Sequence, residues 1–437
     1  MSTNIDRNER MTPFLILWTG QALSLLGSTA VQFALIWWLT QQTGSATVLA
    51  MAALLGLLPT VALGPVIGVL VDRWDRKRVM LASDAMVALA SLVLACLYFA
   101  DTATTGIVFV ILFLRGLGAA FYSPAMLAST SLMVSGEHLT RIQGLNQMLQ
   151  GGITIVSAPL GALLLAALPM SGVMLVDVVT ALFAIVPLVF IHVPRPRRAG
   201  EAALKVASSI WSEMIAGVRY LAERKGHVSL VVMAALINAC LVPAFSLLPL
   251  LVSGELRGDA LQLAWVTTAF GVGTIAGGIL LGLWRGTCSR ILIVLPALVG
   301  LGVGVIAVGI APAYVPALAA MLLIGLIVPF VNGPIQAILQ ATIAAEYQGR
   351  VFTLVGSLAG VTAPLGLILA APVAEMAGVR AWYVAGGLVC VAMGAAGYLV
   401  PSLLRIETPP GDSAAHDVVD ERATAGENSI STGSSDA

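Results

Sequence analysis

The sequence predicts an all-α membrane protein in which twelve transmembrane helices form two six-helix parallel repeats. Composition is the first observation: the 437 residues are 59% hydrophobic and only 10% charged, with a mean hydropathy of +0.97. A water-soluble globular protein carries roughly a quarter charged residues, so this composition is typical of a chain that lies in a bilayer. The other two observations are a series of long apolar runs and a set of short motifs that occur twice.

Each apolar run has about 20 residues or more, which is the length that a helix needs to cross the hydrocarbon core. The first run is too long for the core of a signal peptide and has no clear cleavage site, so we interpret it as a membrane helix. An even number of spans places both termini on one side of the membrane. The twelve runs cover residues 14–39, 47–71, 79–99, 105–126, 143–168, 172–191, 228–252, 261–284, 291–311, 314–337, 351–374 and 381–401.

Lysine and arginine residues indicate which side that is. Of the 22 in the chain, Arg257 and Arg380 lie in segments opposite the termini, and Arg115 lies within a span. The remaining 19 lie on the side of the termini. Because loops rich in lysine and arginine stay in the cytoplasm, we predict a cytoplasmic (inner) membrane protein with both termini in the cytoplasm.

The spans divide the chain into five segments. Residues 1–13 form a cytoplasmic N-terminus, 14–191 a six-helix bundle, 192–227 a cytoplasmic linker, 228–401 a second bundle and 402–437 a disordered tail. Apolar residues recur at helical spacing in the second part of the linker, which predicts an amphipathic helix at the membrane surface. We favour a connecting role for this helix over a regulatory one. The tail is polar, acidic and rich in serine and glycine, which predicts disorder.

The two bundles carry matching motifs. Ala158-Pro-Leu-Gly161 in the fifth span recurs as Ala363-Pro-Leu-Gly366 in the eleventh. The pair Gly64 and Gly68 at the end of the second span has a counterpart 214 residues later, at the end of the eighth. Small residues at this spacing allow neighbouring helices to approach closely. These matches predict that the second bundle repeats the first in parallel.

The densest cluster of charge lies between the second and third spans, in Gly68-Val-Leu-Val-Asp-Arg-Trp-Asp-Arg-Lys-Arg78. A short basic loop between two spans is a tight cytoplasmic hairpin. The basic residues alone could serve only to fix the topology. Asp72 is harder to explain in that way, because it stands at the helix end directly before Arg73 and four residues before Arg76.

Uncharged polar residues follow one face of three predicted helices. Such a stripe either lines a water-filled cavity or forms hydrogen bonds between packed helices. Glutamine favours the cavity, because a primary amide is costly to bury in a dry or lipid-facing position. We therefore predict a cavity lined by Gln21, Ser24, Ser28, Gln32, Gln147, Gln150, Asn332 and Gln336.

A few charged residues lie within the predicted spans, where an ionised side chain needs a partner. Arg115 is near the middle of the fourth span, and we favour a position on a polar pathway over a structural bond to backbone carbonyls. Asp84 lies about a turn and a half inside the third span. There it can join the charges of the preceding loop, which we favour, or reach toward Arg115. Asp177, near the outer end of the sixth span, is predicted to reach the lipid headgroups.

The sequence contains no motif of an ATP-driven or enzymatic protein. Its three lysines do not follow a phosphate-binding glycine loop, and neither H-E-x-x-H nor G-x-S-x-G occurs. Four widely separated cysteines without C-x-x-C spacing argue against a disulfide framework and a metal site. Zero net charge argues against nucleic acid as a partner. We expect no enzymatic activity, no cofactor, no metal, and an ion gradient as the energy source.

Several strings resemble the major facilitator superfamily of secondary transporters, and within it the bacterial macrolide-efflux transporters of the drug/proton antiporter branch. The resemblance covers all twelve spans and implies the major facilitator fold, with substrate bound between the two halves near the bilayer midplane. The strings that carry it are Gln21-Ala-Leu-Ser-Leu25, Thr43-Gly-Ser-Ala46, Gly68 to Lys77 together with Asp84, and Gly349-Arg-Val-Phe-Thr-Leu354.

The resemblance also implies roles for particular residues. Asp72 closes the cytoplasmic side by lying against the start of the eleventh helix, where an anion gains about 0.3–1 kcal/mol. Arg115 matches the arginine that antiporters use in proton coupling. The first span carries glutamines where several multidrug antiporters carry an acid, so Asp84 is the remaining candidate for protonation. The residues assigned to the gate are Gly68, Asp72, Arg73, Arg76, Lys77 and Arg350.

These inferences predict an exporter that exchanges protons for a lipophilic small molecule, such as a macrolide antibiotic, in contact with membrane lipid. Two alternatives stay open. One is a transporter of the same fold for an endogenous solute, and the other is a membrane receptor or scaffold on this fold that transports nothing.

Overall fold

The structure is a computed structural model, and it describes residues 5–133, 136–191, 219–222, 224–283 and 289–407. Almost all of these residues are helical. Twelve helices are long and apolar enough to cross a membrane, as the sequence predicts, and several extend beyond the predicted apolar runs. The helices are α1 (Ile5–Thr43), α2 (Ala46–Arg73), α3 (Arg76–Phe99), α4 (Thr105–Met133), α5 (Gly136–Ala167), α6 (Met170–Phe190), α7 (Lys225–Leu250), α8 (Ala260–Leu283), α9 (Ile291–Ile310), α10 (Tyr314–Thr342), α11 (Ala345–Ala377), α12 (Val379–Gly397) and the short α13 (Pro401–Leu404).

Short turns join α1 to α2 and α2 to α3, and in each turn a polar side chain caps the helix that follows. Ser45 accepts a hydrogen bond of 3.4 Å from the backbone N–H of Val48 at the start of α2. Asp75 accepts one of 3.3 Å from the backbone N–H of Arg78 at the start of α3. These caps satisfy N–H groups that the first turn of a helix leaves unpaired. Gly44, between α1 and α2, has a φ of 57°, a conformation that glycine adopts without steric cost.

The repeated Ala-Pro-Leu-Gly motif packs in the same way in both halves. A side chain at Gly161 on α5 would overlap the carbonyl oxygen of Ala30 on α1. A side chain at Gly366 on α11 would overlap the carbonyl oxygen of Ala239 on α7. Most of the helix packing stays within α1–α6 or within α7–α12. The prediction of two repeated six-helix bundles is therefore confirmed.

Both ends of the described chain lie at one end of the bundle, which we call the terminal face; the other end is the opposite face. The two halves meet through α2 with α11 and through α5 with α8. At the opposite face, the carboxylate of Glu375 on α11 accepts hydrogen bonds from the Ser45 hydroxyl, 2.9 Å, and the Thr47 backbone N–H, 3.2 Å. One turn deeper, Ala50 of α2 packs against Leu367 of α11.

The packing between the halves extends from the opposite face past the middle of the helices. The hydroxyl of Thr268 on α8 donates a hydrogen bond of 3.1 Å to the backbone carbonyl of Ile155 on α5. Nearer the terminal face, no described heavy atom lies within 4 Å of the Cβ position of Gly64, Gly68 or Gly278. The close helix approach predicted at the glycine pair of α2 is therefore absent from the described residues in this conformation. Among the described residues, contacts between the halves are found at the opposite face and near mid-helix, and open space lies beside these glycines at the terminal face.

The end of the chain differs from the disordered tail predicted for residues 402–437. Leu403 of α13 is fully buried, and Glu407 accepts a hydrogen bond of 2.8 Å from the backbone N–H of Arg290 at the start of α9. Leu403 and Ile406 are buried against the second bundle, so the predicted tail begins with a packed segment. The rest of it, and most of the linker 192–227 with its predicted amphipathic helix, lie outside the described residues.

Candidate functional site

A cavity of about 430 Å³ lies in the first half of the protein, among α1, α2, α3, α4 and α6. The polar face predicted for α1 forms one wall of this cavity through Gln21, Ser24, Ser28 and Gln32. The first and last of these are eleven residues apart, so the wall extends roughly 16 Å along the helix. The volume lies within the range of about 300–1,000 Å³ that small-molecule sites occupy.

The other four residues predicted to line a cavity lie elsewhere. Gln147 and Gln150 on α5, and Asn332 and Gln336 on α10, have exposed side chains and are not part of this wall. The cavity described here is lined by residues of the first half alone. A substrate site between the two halves, as the resemblance implies, stays a prediction.

Arg115 lies on α4 at the cavity wall, with 9% of its side chain exposed. One guanidinium nitrogen forms an ion pair with the carboxylate of Asp177 on α6 and donates a hydrogen bond of 2.6 Å to the hydroxyl of Ser91 on α3. The other terminal nitrogen of the guanidinium donates a hydrogen bond of 3.1 Å to the backbone carbonyl of Ser28 on α1. Arg115 thus lines the cavity and also bonds to a backbone carbonyl. Its place on a transport pathway stays a prediction.

The headgroup position predicted for Asp177 is wrong. Its side chain is 0% exposed, and besides Arg115 it accepts hydrogen bonds from the hydroxyls of Ser28 and Ser91, both 2.6 Å. An arginine within the bilayer needs a counter-ion, and the two residues lie at similar depths. Asp177 is seven residues from the opposite-face end of α6, and Arg115 is ten from that end of α4. This polar cluster ties α1, α3, α4 and α6 together.

Asp84 lines the same cavity from α3 and takes a neutral partner. Its carboxylate accepts a hydrogen bond of 2.8 Å from the side-chain amide of Gln21, and the phenol ring of Tyr122 on α4 also belongs to the wall. Asp84 is seven residues before Ser91 on α3, so it lies about 10 Å closer to the terminal face than the Arg115 cluster. The structure therefore places Asp84 at the cavity, where the sequence favoured a place among the charges of the preceding loop.

Two basic residues of that loop bind the ends of neighbouring helices. The guanidinium of Arg76 donates a hydrogen bond of 2.7 Å to the carbonyl of Ala128 on α4. The ammonium of Lys77 donates to the carbonyls of Val189 and Ile191 at the end of α6, 2.8 and 2.9 Å. A cation at a helix C-terminus is stabilised by the helix dipole. The side chains of the other charged gate residues, Asp72, Arg73 and Arg350, lie outside the described part of the chain. The latch between that acid and the start of α11 therefore stays a prediction.

Comparison with known proteins decides the family. The family model described as Major Facilitator Superfamily matches residues 17–256. The chain belongs to the major facilitator superfamily. This major facilitator protein is a membrane transporter and not an enzyme, as expected from the sequence.

Relatives of this major facilitator protein cover nearly its whole length. Macrolide efflux protein A of Streptococcus pyogenes is 35% identical over 384 residues, which is 87% of this chain and 94% of that one. Multidrug efflux pump Tap of Mycolicibacterium fortuitum is 28% identical over 415 residues, 92% of this chain and 98% of that one. Among solved structures, the chain is similar to a bacterial homologue of the human lysosomal transporter Spinster in an inward-facing, unoccupied conformation. The TM-score is 0.66 at 15% sequence identity, and the match covers 92% of this chain and 99% of that one.

Three side chains that matter to the geometry of this major facilitator protein were not among the predicted site residues. Asp177 could have been found from the sequence, because Arg115 needs an acid at its own depth and Asp177 is at that depth. Ser91 and Glu375 carry no comparable signal. Glu375 meets a residue 330 positions away in the chain, and only the assembled halves bring the two together.

Proposed function

We propose that this protein is a secondary active exporter of lipophilic drugs, with macrolide antibiotics as substrates and proton antiport as the driving reaction. The observation that carries the proposal is a membrane-embedded cavity of drug size whose wall holds an arginine and a carboxylate, Arg115 and Asp84. Ionisable groups inside the bilayer are costly and mark substrate and proton pathways. The two relatives named for efflux match nearly the full chain, which supports the same substrate class here.

The orientation follows from the distribution of basic residues. The segments on the side of the termini carry 19 of the 22 lysines and arginines, so the terminal face is the cytoplasmic face of the cell membrane. The open space beside Gly64, Gly68 and Gly278 therefore lies on the cytoplasmic side. A lipophilic drug that has crossed the membrane, or has dissolved in its inner leaflet, enters the cavity from that side.

Export requires the two halves to exchange which face is closed. The contacts of Glu375 with the start of α2 separate, and the cytoplasmic ends of α2 and α11 come together. In the closed state, Asp72 at the end of α2 lies at the N-terminus of α11, near Arg350. The open space beside Gly64 and Gly68 accommodates that approach, because glycine lets two helices come close.

Proton coupling rests on the carboxylate that lacks a cationic partner. Arg115 and Asp177 neutralise each other and hold four helices together, so neither is free to change its charge without loss of packing. Asp84 has only the neutral amide of Gln21 as a described partner. A proton on Asp84 removes a charge that the bilayer interior disfavours. Asp84 is therefore the proton carrier, and the Arg115 cluster is the fixed frame beside it.

The test is uptake of a radiolabelled macrolide into inside-out membrane vesicles. An imposed proton gradient should drive uptake, and an uncoupler should reduce it to the level of vesicles without the protein. Asp84→Asn should abolish gradient-driven uptake, while Asp101→Asn, an exposed acid in the loop after α3, should leave it unchanged. Uptake that persists after the gradient is collapsed would contradict proton antiport. The absence of uptake for every macrolide would contradict the substrate assignment.

A further inference from the structure

The charged groups of the cavity do not balance. Among the described residues of its wall, Asp84 and Arg115 are the only acidic or basic side chains. The charge of Arg115 is cancelled by Asp177, which lies behind it and is inaccessible from the cavity. The site as a whole therefore has one negative charge in excess whenever Asp84 is ionised.

Arg115 is not available to balance that charge. Both terminal nitrogens of its guanidinium are engaged, one by Asp177 and Ser91 and the other by the carbonyl of Ser28. The Ser91 contact fixes the guanidinium about two helical turns, or roughly 10 Å, from Asp84 along α3. Reaching Asp84 would leave Asp177 as an unpaired charge in the interior, which is strongly unfavourable.

The surroundings of Asp84 suit a cation with an apolar body. One carboxylate oxygen accepts the amide hydrogen bond of Gln21, and the other accepts no hydrogen bond from the described residues. The wall that Asp84 shares also includes the ring of Tyr122 and the apolar side chains of Leu57 and Val87. An aromatic ring attracts a cation through its π face, and an ammonium forms a short, charge-assisted hydrogen bond with a carboxylate.

We infer that Asp84 binds the ammonium group of the substrate, so that the cavity selects lipophilic monocations over neutral molecules of the same shape. The inference rests on the proposed function and specifies the substrate chemistry of the same site. Macrolides with a dimethylamino sugar fit this description, because their macrocycle is neutral and their amine carries one proton at neutral pH. Proton and ammonium then occupy one carboxylate in turn, and each turnover exchanges one positive charge for another.

The experiment measures equilibrium binding to the purified full-length protein in lipid nanodiscs. The probes are a radiolabelled macrolide with a dimethylamino sugar and its N-demethyl-N-acetyl derivative, whose nitrogen does not take a proton. Wild-type protein should bind the amine about 10- to 100-fold more tightly than the amide, as expected for a charge-assisted hydrogen bond. Asp84→Asn should remove this preference by weakening the amine alone, with binding of the amide unchanged within about twofold.

Two further measurements guard against misfolding and against a general electrostatic effect. Asp84→Glu keeps the charge and should retain the preference for the amine, and Asp101→Asn should behave as wild type. A preference for the amine that survives in Asp84→Asn overturns the inference, as does equal binding of both compounds by wild-type protein. Binding of neither compound to wild-type protein overturns the macrolide assignment as well, so the two failures are distinguishable.

Discussion

Replacing Asp177 by asparagine should destabilise the first half of the protein severely. The substitution keeps the size of the side chain and removes the negative charge that faces Arg115. Removing one partner of a buried ion pair costs about 3–5 kcal/mol, because the other charge is left without compensation. Two serine hydroxyls, Ser28 and Ser91, also lose a charged acceptor at 2.6 Å. We therefore expect a cost in the upper part of that range.

The assay is reversible unfolding in mixed micelles by titration with a denaturing detergent. The exposed Asp101→Asn is the matched control and should stay within about 0.5 kcal/mol of wild type. The double variant Arg115→Met/Asp177→Leu removes both charges and should recover much of the lost stability, because apolar replacements of a buried pair are often neutral. With Arg115→Met and Asp177→Leu as the two single variants, the double-mutant cycle should give a coupling energy of about 2 kcal/mol or more. An Asp177→Asn variant as stable as the control, or a coupling energy near zero, would refute the reasoning.

Other substitutions test the packing of the helices and the contacts at the two faces. Gly161→Leu should lower the free energy of unfolding by about 1–3 kcal/mol, because the new side chain meets the α1 backbone. Gly144→Leu has open space beside it and should change the free energy of unfolding by no more than about 0.5 kcal/mol. Equal effects of the two substitutions would contradict the close contact of α5 with α1. Glu375→Gln should make the opposite face open more often, because it weakens the contact with the start of α2. The measurement is the rate at which an impermeant thiol reagent, added from that side, labels a cysteine in the cavity wall. An unchanged labelling rate would contradict a role of Glu375 in closing this face. Lys77→Met should cost about 1 kcal/mol by freeing the carbonyls at the end of α6. The exposed Arg78→Met is its control, and an equal cost for both would disprove the cap.

The parts of the fold that depend on local sequence were predictable. Apolar runs of membrane length locate all twelve spans, since a helix must satisfy its own backbone hydrogen bonds inside a bilayer. The repeated motif ending at Gly161 and Gly366 identifies the two halves. In the structure both glycines allow the backbone of a neighbouring helix to come into close contact. The three- and four-residue spacing from Gln21 to Gln32 likewise predicts the polar wall that α1 presents to the cavity.

The parts that depend on how helices rotate and tilt against each other were not predictable. Spacing along α5 and α10 shows that Gln150 and Asn332 share a face with other polar residues, but it does not show whether that face meets an enclosed space. The sequence shows that Asp177 and Arg115 lie at similar depths, but not that α4 and α6 turn these two side chains toward each other. The packing of the residues around Leu403 was hidden by the polar composition of the segment that follows.

The bond of Glu375 to the start of α2 has a counterpart at the other end of the same two helices. There, in the proposed closed state, Asp72 near the end of α2 meets the start of α11. Each helix of this pair is long and stiff, with α2 spanning 28 residues, or roughly 40 Å, so tilting one half parts one set of ends as it joins the other. In this proposal the two contacts exclude each other, and the difference between their free energies sets the fraction of substrate-free protein that is open to each side of the membrane. A substitution at Glu375 or Asp72 would therefore shift this conformational equilibrium without changing the cavity.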